Sequence, residues 1–158
     1  RARGQDAELV LVGEGPQLGE ARRVARERDV SDRVRFLGLR SDLAELLAPA
    51  DLFCLASTEE SFGLSALEAM SAGTAVLGTR VGGVAEVVTD GTTGVLVDPE
   101  DRGAYASEMA RLLGDRQGAA RLGAAARDRA VARFDRRKVV EEYESLYRGL
   151  VGDAGPCP

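Results

Sequence analysis

Apolar runs of strand length recur along this chain, and stretches of helical period separate them. The runs are 8–12 (ELVLV), 33–37 (RVRFL), 51–56 (DLFCLA), 75–78 (AVLG) and 94–97 (GVLV). Continuous apolar strands divided by helices imply a parallel sheet covered on both faces, so 8–12 is expected to be buried. A helix to about Arg28 should follow Gly13-Glu-Gly-Pro16, with Pro16 near its first position. A short helix is expected over 43–47, and another should stop at Gly73, where glycine commonly ends helices. From Arg102 the pattern turns helical throughout. Tyr105, Met109, Leu112 and Leu113 share one stripe. Further helices are expected over about 116–133 and 135–150, the last with Val139, Tyr143, Leu146 and Tyr147 turned inward. The expected organisation is one α/β layer with a helical tail over 1–151, then a frayed end at 152–158.

Several functions are excluded by what is scarce. The 158 residues contain no histidine, which removes imidazole acid–base chemistry and histidine metal sites. The net charge of −5 argues against nucleic acid as a partner, despite 21 basic residues. Cys54 and Cys157 form no paired spacing, so no zinc site or disulfide framework is indicated, and a reducing cytoplasm fits. No apolar run reaches the roughly 18 residues of a membrane span. No Asp-x-Asp pair occurs, so no metal is expected to hold a diphosphate.

In a doubly wound sheet, ligands sit at the carboxyl ends of the strands. Gly13 and Gly15, Gly38, the segment after strand three, and Gly82-Gly83 all emerge at that edge. Gly13-x-Gly15 opens like a dinucleotide fingerprint, but Leu18 stands at the third glycine position, so a strand-to-helix turn is the better reading. The segment after strand three places Glu60 and Glu68, with seven residues between them, across a loop-to-helix junction. Carboxylates accept hydrogen bonds from hydroxyls, and free backbone N–H groups at a helix start face an anion. A ligand with hydroxyls and a phosphate suits that pairing, and Gly63 would let backbone approach it closely.

Glu60-Ser-Phe-Gly-Leu-Ser-Ala-Leu-Glu68 resembles the two-glutamate signature of the retaining glycosyltransferases of family 4, which have the GT-B fold. The segments Leu9-Val-Leu-Val-Gly-Glu-Gly-Pro16, Val34-Arg-Phe-Leu-Gly38, Gly82-Gly-Val-Ala-Glu-Val-Val88 and Asp90-Gly-Thr-Thr-Gly94 stand in that family's order. The resemblance implies a Rossmann-like parallel sheet with helices on both faces, the C-terminal, donor-binding half of a GT-B enzyme. It implies a nucleotide sugar as substrate, with no other cofactor. Glu68 would hold the ribose hydroxyls, and Glu60, the candidate catalytic residue, would meet hydroxyls of the transferred sugar. Ser61, Phe62, Gly63, Leu64 and Ser65 would serve sugar and diphosphate, and Phe36, Leu37, Gly38 and Leu39 would lie near the base.

The family's Arg and Lys for the diphosphate have no match in this sequence. The donor domain is therefore expected to be incomplete at its N-terminal side. The acceptor domain, with any peripheral membrane contact, is expected to be missing too. Within the family, residues 60–64 and 78–88 look most like members of bacillithiol biosynthesis, which move N-acetylglucosamine from UDP-N-acetylglucosamine to L-malate. A cell-envelope polysaccharide transferase and a non-catalytic nucleotide-sugar-binding module are the alternatives.

Overall fold

The computed structural model of the chain describes residues 6–151. The tail at 152–158, with Cys157, lies outside them. In chain order the elements are β1 (Leu9–Leu11), α1 (Leu18–Glu27), a 3-10 turn (Ser31–Arg33), β2 (Val34–Phe36), α2 (Leu43–Leu47), β3 (Phe53–Leu55) and α3 (Leu64–Ala72). There follow β4 (Val76–Thr79), α4 (Val84–Val87), β5 (Val95–Val97), α5 (Arg102–Gly114), α6 (Arg116–Phe134) and α7 (Arg136–Val151). Every named strand pair is parallel. Leu9 stands opposite Val34 in the first pair, Phe53 opposite Val76 and Leu77 opposite Val95 in the other two. These are the Rossmann-like features that the alternation of runs implies.

The middle strand, β4, is buried along its whole length and supplies both faces of the core. Val76 packs with Ala66, Ala69 and Met70 of α3, Val84 and Val87 of α4, and Ala126 and Ala130 of α6. Its neighbour Leu77 points to the other face and packs with Val97 and Leu112, where the Tyr105 hydroxyl donates to the Leu77 carbonyl at 3.1 Å. Strand alternation thus places α3 and α6 on one side and α5 on the other. Full burial of Met70, Leu77 and Leu112 contributes roughly 1.5–3 kcal/mol each.

Local signals set the helix ends. Asp101 and Asp115 cap α5 and α6, accepting from the amides of Ala104 and Gly118 at 2.8 Å. Gly73 ends α3 at φ 82°, a left-handed value natural to glycine. Pro16 stands before α1 rather than in it, since Gln17 is the N-cap and Leu18 the first helical residue.

Three expectations change. The sheet is in two pieces, β1–β2 and β3–β4–β5. Residues 8–12 are not buried: Leu9, Val10, Leu11 and Val12 are 44%, 41%, 37% and 41% exposed, because β1 lies in the two-stranded piece, outside both core clusters. The third change concerns α7. Val139 is half-buried, but Tyr143, Leu146 and Tyr147 are 56%, 56% and 60% exposed. That helix packs chiefly on α6, and its apolar stripe faces outward.

Candidate functional site

Where β3 ends, the chain enters a loop that runs to Gly63 and the start of α3. The loop is pinned at its root by Thr79, whose hydroxyl donates to the Ser57 carbonyl at 2.5 Å. Its far side rests on Gly82-Gly83. The Gly83 amide donates to the Ser61 carbonyl at 3.2 Å. A Cβ at Gly83 would stand 2.6 Å from the Ser61 oxygen and 2.8 Å from Phe62 Cα, and one at Gly82 would overlap the Glu60 carbonyl oxygen. The two glycines are therefore a seat for the Glu60 loop.

Glu60 is half-buried, and its Oε1 accepts from the Gly63 amide at 3.2 Å. That bond satisfies one of the orphan donors of a helix start, so the Gly63 N–H is already committed. Gly63 is itself buried at φ 89°, and a Cβ there would meet Val84 Cγ2 at 3.2 Å. Its glycine character is explained by backbone conformation and by α4, without a ligand. The first i→i−4 bond of α3 runs from Leu67 to Gly63. The amides of Leu64 and Ser65 precede it and meet no partner among the described residues. Leu64 is 60% exposed, and Ser65 is half-buried.

Glu68 lies one turn into α3, half-buried, and makes no hydrogen bond or ion pair among the described residues. A carboxylate partly covered by protein and without a partner is free to accept from a ligand's hydroxyls. Ser61 is exposed, and Phe62 is 43% exposed with its ring edge-on to Phe134, centroids 6.1 Å apart at 77°.

The remaining candidates stand apart. Phe36 ends β2 in the other sheet, Leu37, Gly38 and Leu39 follow it, and no hydrogen bond or ring contact joins the four to 60–68 among the described residues. The Leu37 amide donates to Leu11 O at 2.9 Å, and the Gly38 carbonyl accepts from the Gly13 amide at 2.8 Å. The Arg22 guanidinium lies 4.6 Å over the Phe36 ring, while Leu39 is 74% exposed.

Thr79, Val84 and Phe134 escape the sequence reading. A threonine ending a strand and a phenylalanine ending a helix are unremarkable until the fold brings them to the loop. Cys54 is half-buried, and burial pushes its thiol up, only partly offset by Tyr105. It is poorly suited to act as a nucleophile. No cluster of three or more Cys, Asp or Glu side chains able to hold a metal occurs among the described residues.

The fold and the position of this loop define a Rossmann-like domain of the GT-B kind. The chain belongs to the glycosyl transferases group 1 family, whose model matches residues 1–129. It is 40% identical over 148 residues to N-acetyl-alpha-D-glucosaminyl L-malate synthase of Bacillus anthracis, covering 94% of this chain and 39% of that protein. To the D-inositol 3-phosphate glycosyltransferase of Corynebacterium diphtheriae it is 37% identical over 157 residues, covering 95% of this chain and 35% of the other. Among solved structures, sucrose-phosphate synthase from Thermosynechococcus elongatus superposes with a TM-score of 0.84 at 36% identity, over 95% of this chain and 40% of that one. HepE of Anabaena, in complex with UDP, does so at 0.81 and 29%, over 91% and 43%. The chain thus spans less than half the length of each of these relatives.

Proposed function

We propose that this domain binds the nucleotide-sugar donor of a retaining glycosyltransferase, one that moves N-acetylglucosamine from UDP-N-acetylglucosamine to L-malate. The carrying observation is Glu68, a half-buried carboxylate with no partner among the described residues, one turn inside a helix whose first amides are unpaired. The sequence likeness to the Bacillus anthracis synthase supports the choice of sugar and acceptor, and the HepE complex with UDP supports the nucleotide.

In this reading Glu68 accepts from the ribose hydroxyls. The amides of Leu64 and Ser65 donate to the diphosphate, favoured by the positive end of the helix dipole. Glu60 has one oxygen engaged by Gly63, and its other oxygen is left for a hydroxyl of the transferred sugar. Retention follows from attack on the face that the phosphate leaves, with no enzyme nucleophile and no further cofactor. A second domain of the whole protein supplies the malate site, and the cytoplasm supplies the donor.

The test is calorimetric titration of residues 1–158 with UDP and with UDP-N-acetylglucosamine. A lost charge-assisted hydrogen bond costs about 1.5–3 kcal/mol, roughly ten- to a hundredfold in affinity. Glu68→Gln should weaken both ligands by that factor. Glu60→Gln should leave UDP alone and weaken only the sugar nucleotide. Equal effects of the two substitutions on UDP would refute these roles.

A further inference from the structure

The end of α6 touches both the Glu60 loop and the segment that seats it. Phe134, the last residue of that helix, is half-buried against the main core and meets the Phe62 ring edge-on at 6.1 Å. Five residues earlier, Arg129 sends Nε to the Val87 carbonyl at 2.8 Å and an Nη to the Glu86 carbonyl at 2.7 Å. Those carbonyls belong to α4, the helix that follows Gly82-Gly83 and presents Val84 to Gly63. The Arg129 guanidinium also stands 6.0 Å from the Phe134 ring. One helix end therefore braces the loop from above, through Phe62, and braces its seat from beside, through α4.

We propose that Phe134 and Arg129 are positioning residues, fixing Phe62 and α4 so that Glu60 is held where the transferred sugar meets it. The role assigned to Glu60 rests on the proposed function, but the brace itself does not. Phe62 lies between Glu60 and Gly63, whose carboxylate–amide bond sets the direction of the Glu60 side chain. An aromatic edge-to-face pair keeps a half-exposed ring in one place more firmly than burial alone. Without Phe134 the Phe62 ring is free to turn, and the Glu60–Gly63 bond opens more often. Glu68 sits on the body of α3, anchored through Ala66, Ala69 and Met70 in the core that Phe134 borders, so loss of the one ring should move it less than Glu60.

Amide hydrogen exchange on residues 1–158 tests the brace without any ligand. In Phe134→Ala and Phe134→Leu, exchange at Gly63 and Gly83 should quicken by roughly two- to tenfold, the scale of an aromatic pair. The β4 amides should not change, and Phe134→Tyr should restore protection. Arg129→Lys, which loses the two-pronged contact, should quicken Gly83 as well. Unchanged exchange at Gly63 in a folded Phe134→Ala or Phe134→Leu chain would overturn the proposal. Faster exchange spread evenly into β4 would also overturn it, as general loosening. If Phe134→Ala does not fold, Phe134→Leu decides.

Calorimetry supplies the functional arm. Phe134→Leu should weaken UDP-N-acetylglucosamine by the same factor and leave UDP within twofold. Equal weakening of both ligands would refute a role specific to Glu60. If the unaltered chain binds neither ligand, the proposed function falls, and the exchange data alone decide whether the brace exists.

Discussion

A methyl group on Gly82 has no room, because it would overlap the Glu60 carbonyl oxygen, and the residue sits at φ 44°. Gly82→Ala should therefore displace the Glu60 loop and lower stability by about 1–3 kcal/mol, the usual cost of overpacking. Urea unfolding measures it, and a midpoint unchanged from the parent chain would show that the loop yields freely. As candidates, Glu60, Gly63, Glu68 and the glycine pair were legible from residue type and spacing. The reason for each glycine was not. Gly63 reads in sequence as an allowance for a ligand, whereas its φ of 89° and the nearness of Val84 already require it. For the same reason Gly63→Val reports on folding before it reports on phosphate. Partners from distant segments, such as Phe134 on Phe62, leave no local signal at all.

Elements whose ends are set by local chemistry came through clearly. Helix α3 stops at Gly73 as expected, and α2 spans the expected residues, since caps and period act within a few residues. What period cannot report is whether a partner surface is present. The run at 8–12 is apolar enough for a buried strand, and the stripe on α7 is regular, yet both are exposed. Packing between elements makes two predictions. Helices α3 and α6 cross where Gly123 meets the Gly73 carbonyl, and a Cβ at Gly123 would overlap that oxygen. Gly123→Ala should cost about 1–3 kcal/mol despite its better helix propensity, seen as a lowered thermal midpoint. An unchanged or raised midpoint would mean that the helices separate without cost. The turn before β5 should respond to acid. Burial alone would raise the Asp90 carboxyl, but the Leu96 amide at 2.9 Å and Arg80 at 2.5 Å outweigh it and hold it below the usual range. A depressed folded value means that the stabilisation is present well above the ordinary carboxylate pKa of about 3.9, and is lost as pH falls through the folded one. Asp90→Asn should cost up to about 1 kcal/mol at pH 7, given its exposure, and should flatten the decline in stability below pH 4. A variant with the parent's full acid slope would place the titrating group elsewhere.

At the scale of the whole molecule, the proposed site offers carboxylates and amides, whereas sugar transfer must also neutralise a departing diphosphate. Stabilising that charge is usually the largest single catalytic contribution. The arginines that flank the loop are already engaged: Arg80 with Asp90 and the Leu96 carbonyl, Arg129 with the carbonyls of Glu86 and Val87. The chain covers 39% of the malate synthase that it resembles, so most of that enzyme's length has no counterpart in these residues. Among the described residues, the apolar side chains of β1 and of the α7 stripe are left exposed. Binding and turnover should therefore separate. Residues 1–158 should take up UDP, yet form no malate glycoside from UDP-N-acetylglucosamine above the uncatalysed background. Mass spectrometry of a reaction with excess L-malate detects the product directly. Turnover by the purified chain would mean that a cation for the leaving group lies within it, and that the arginines named above are released when the donor binds.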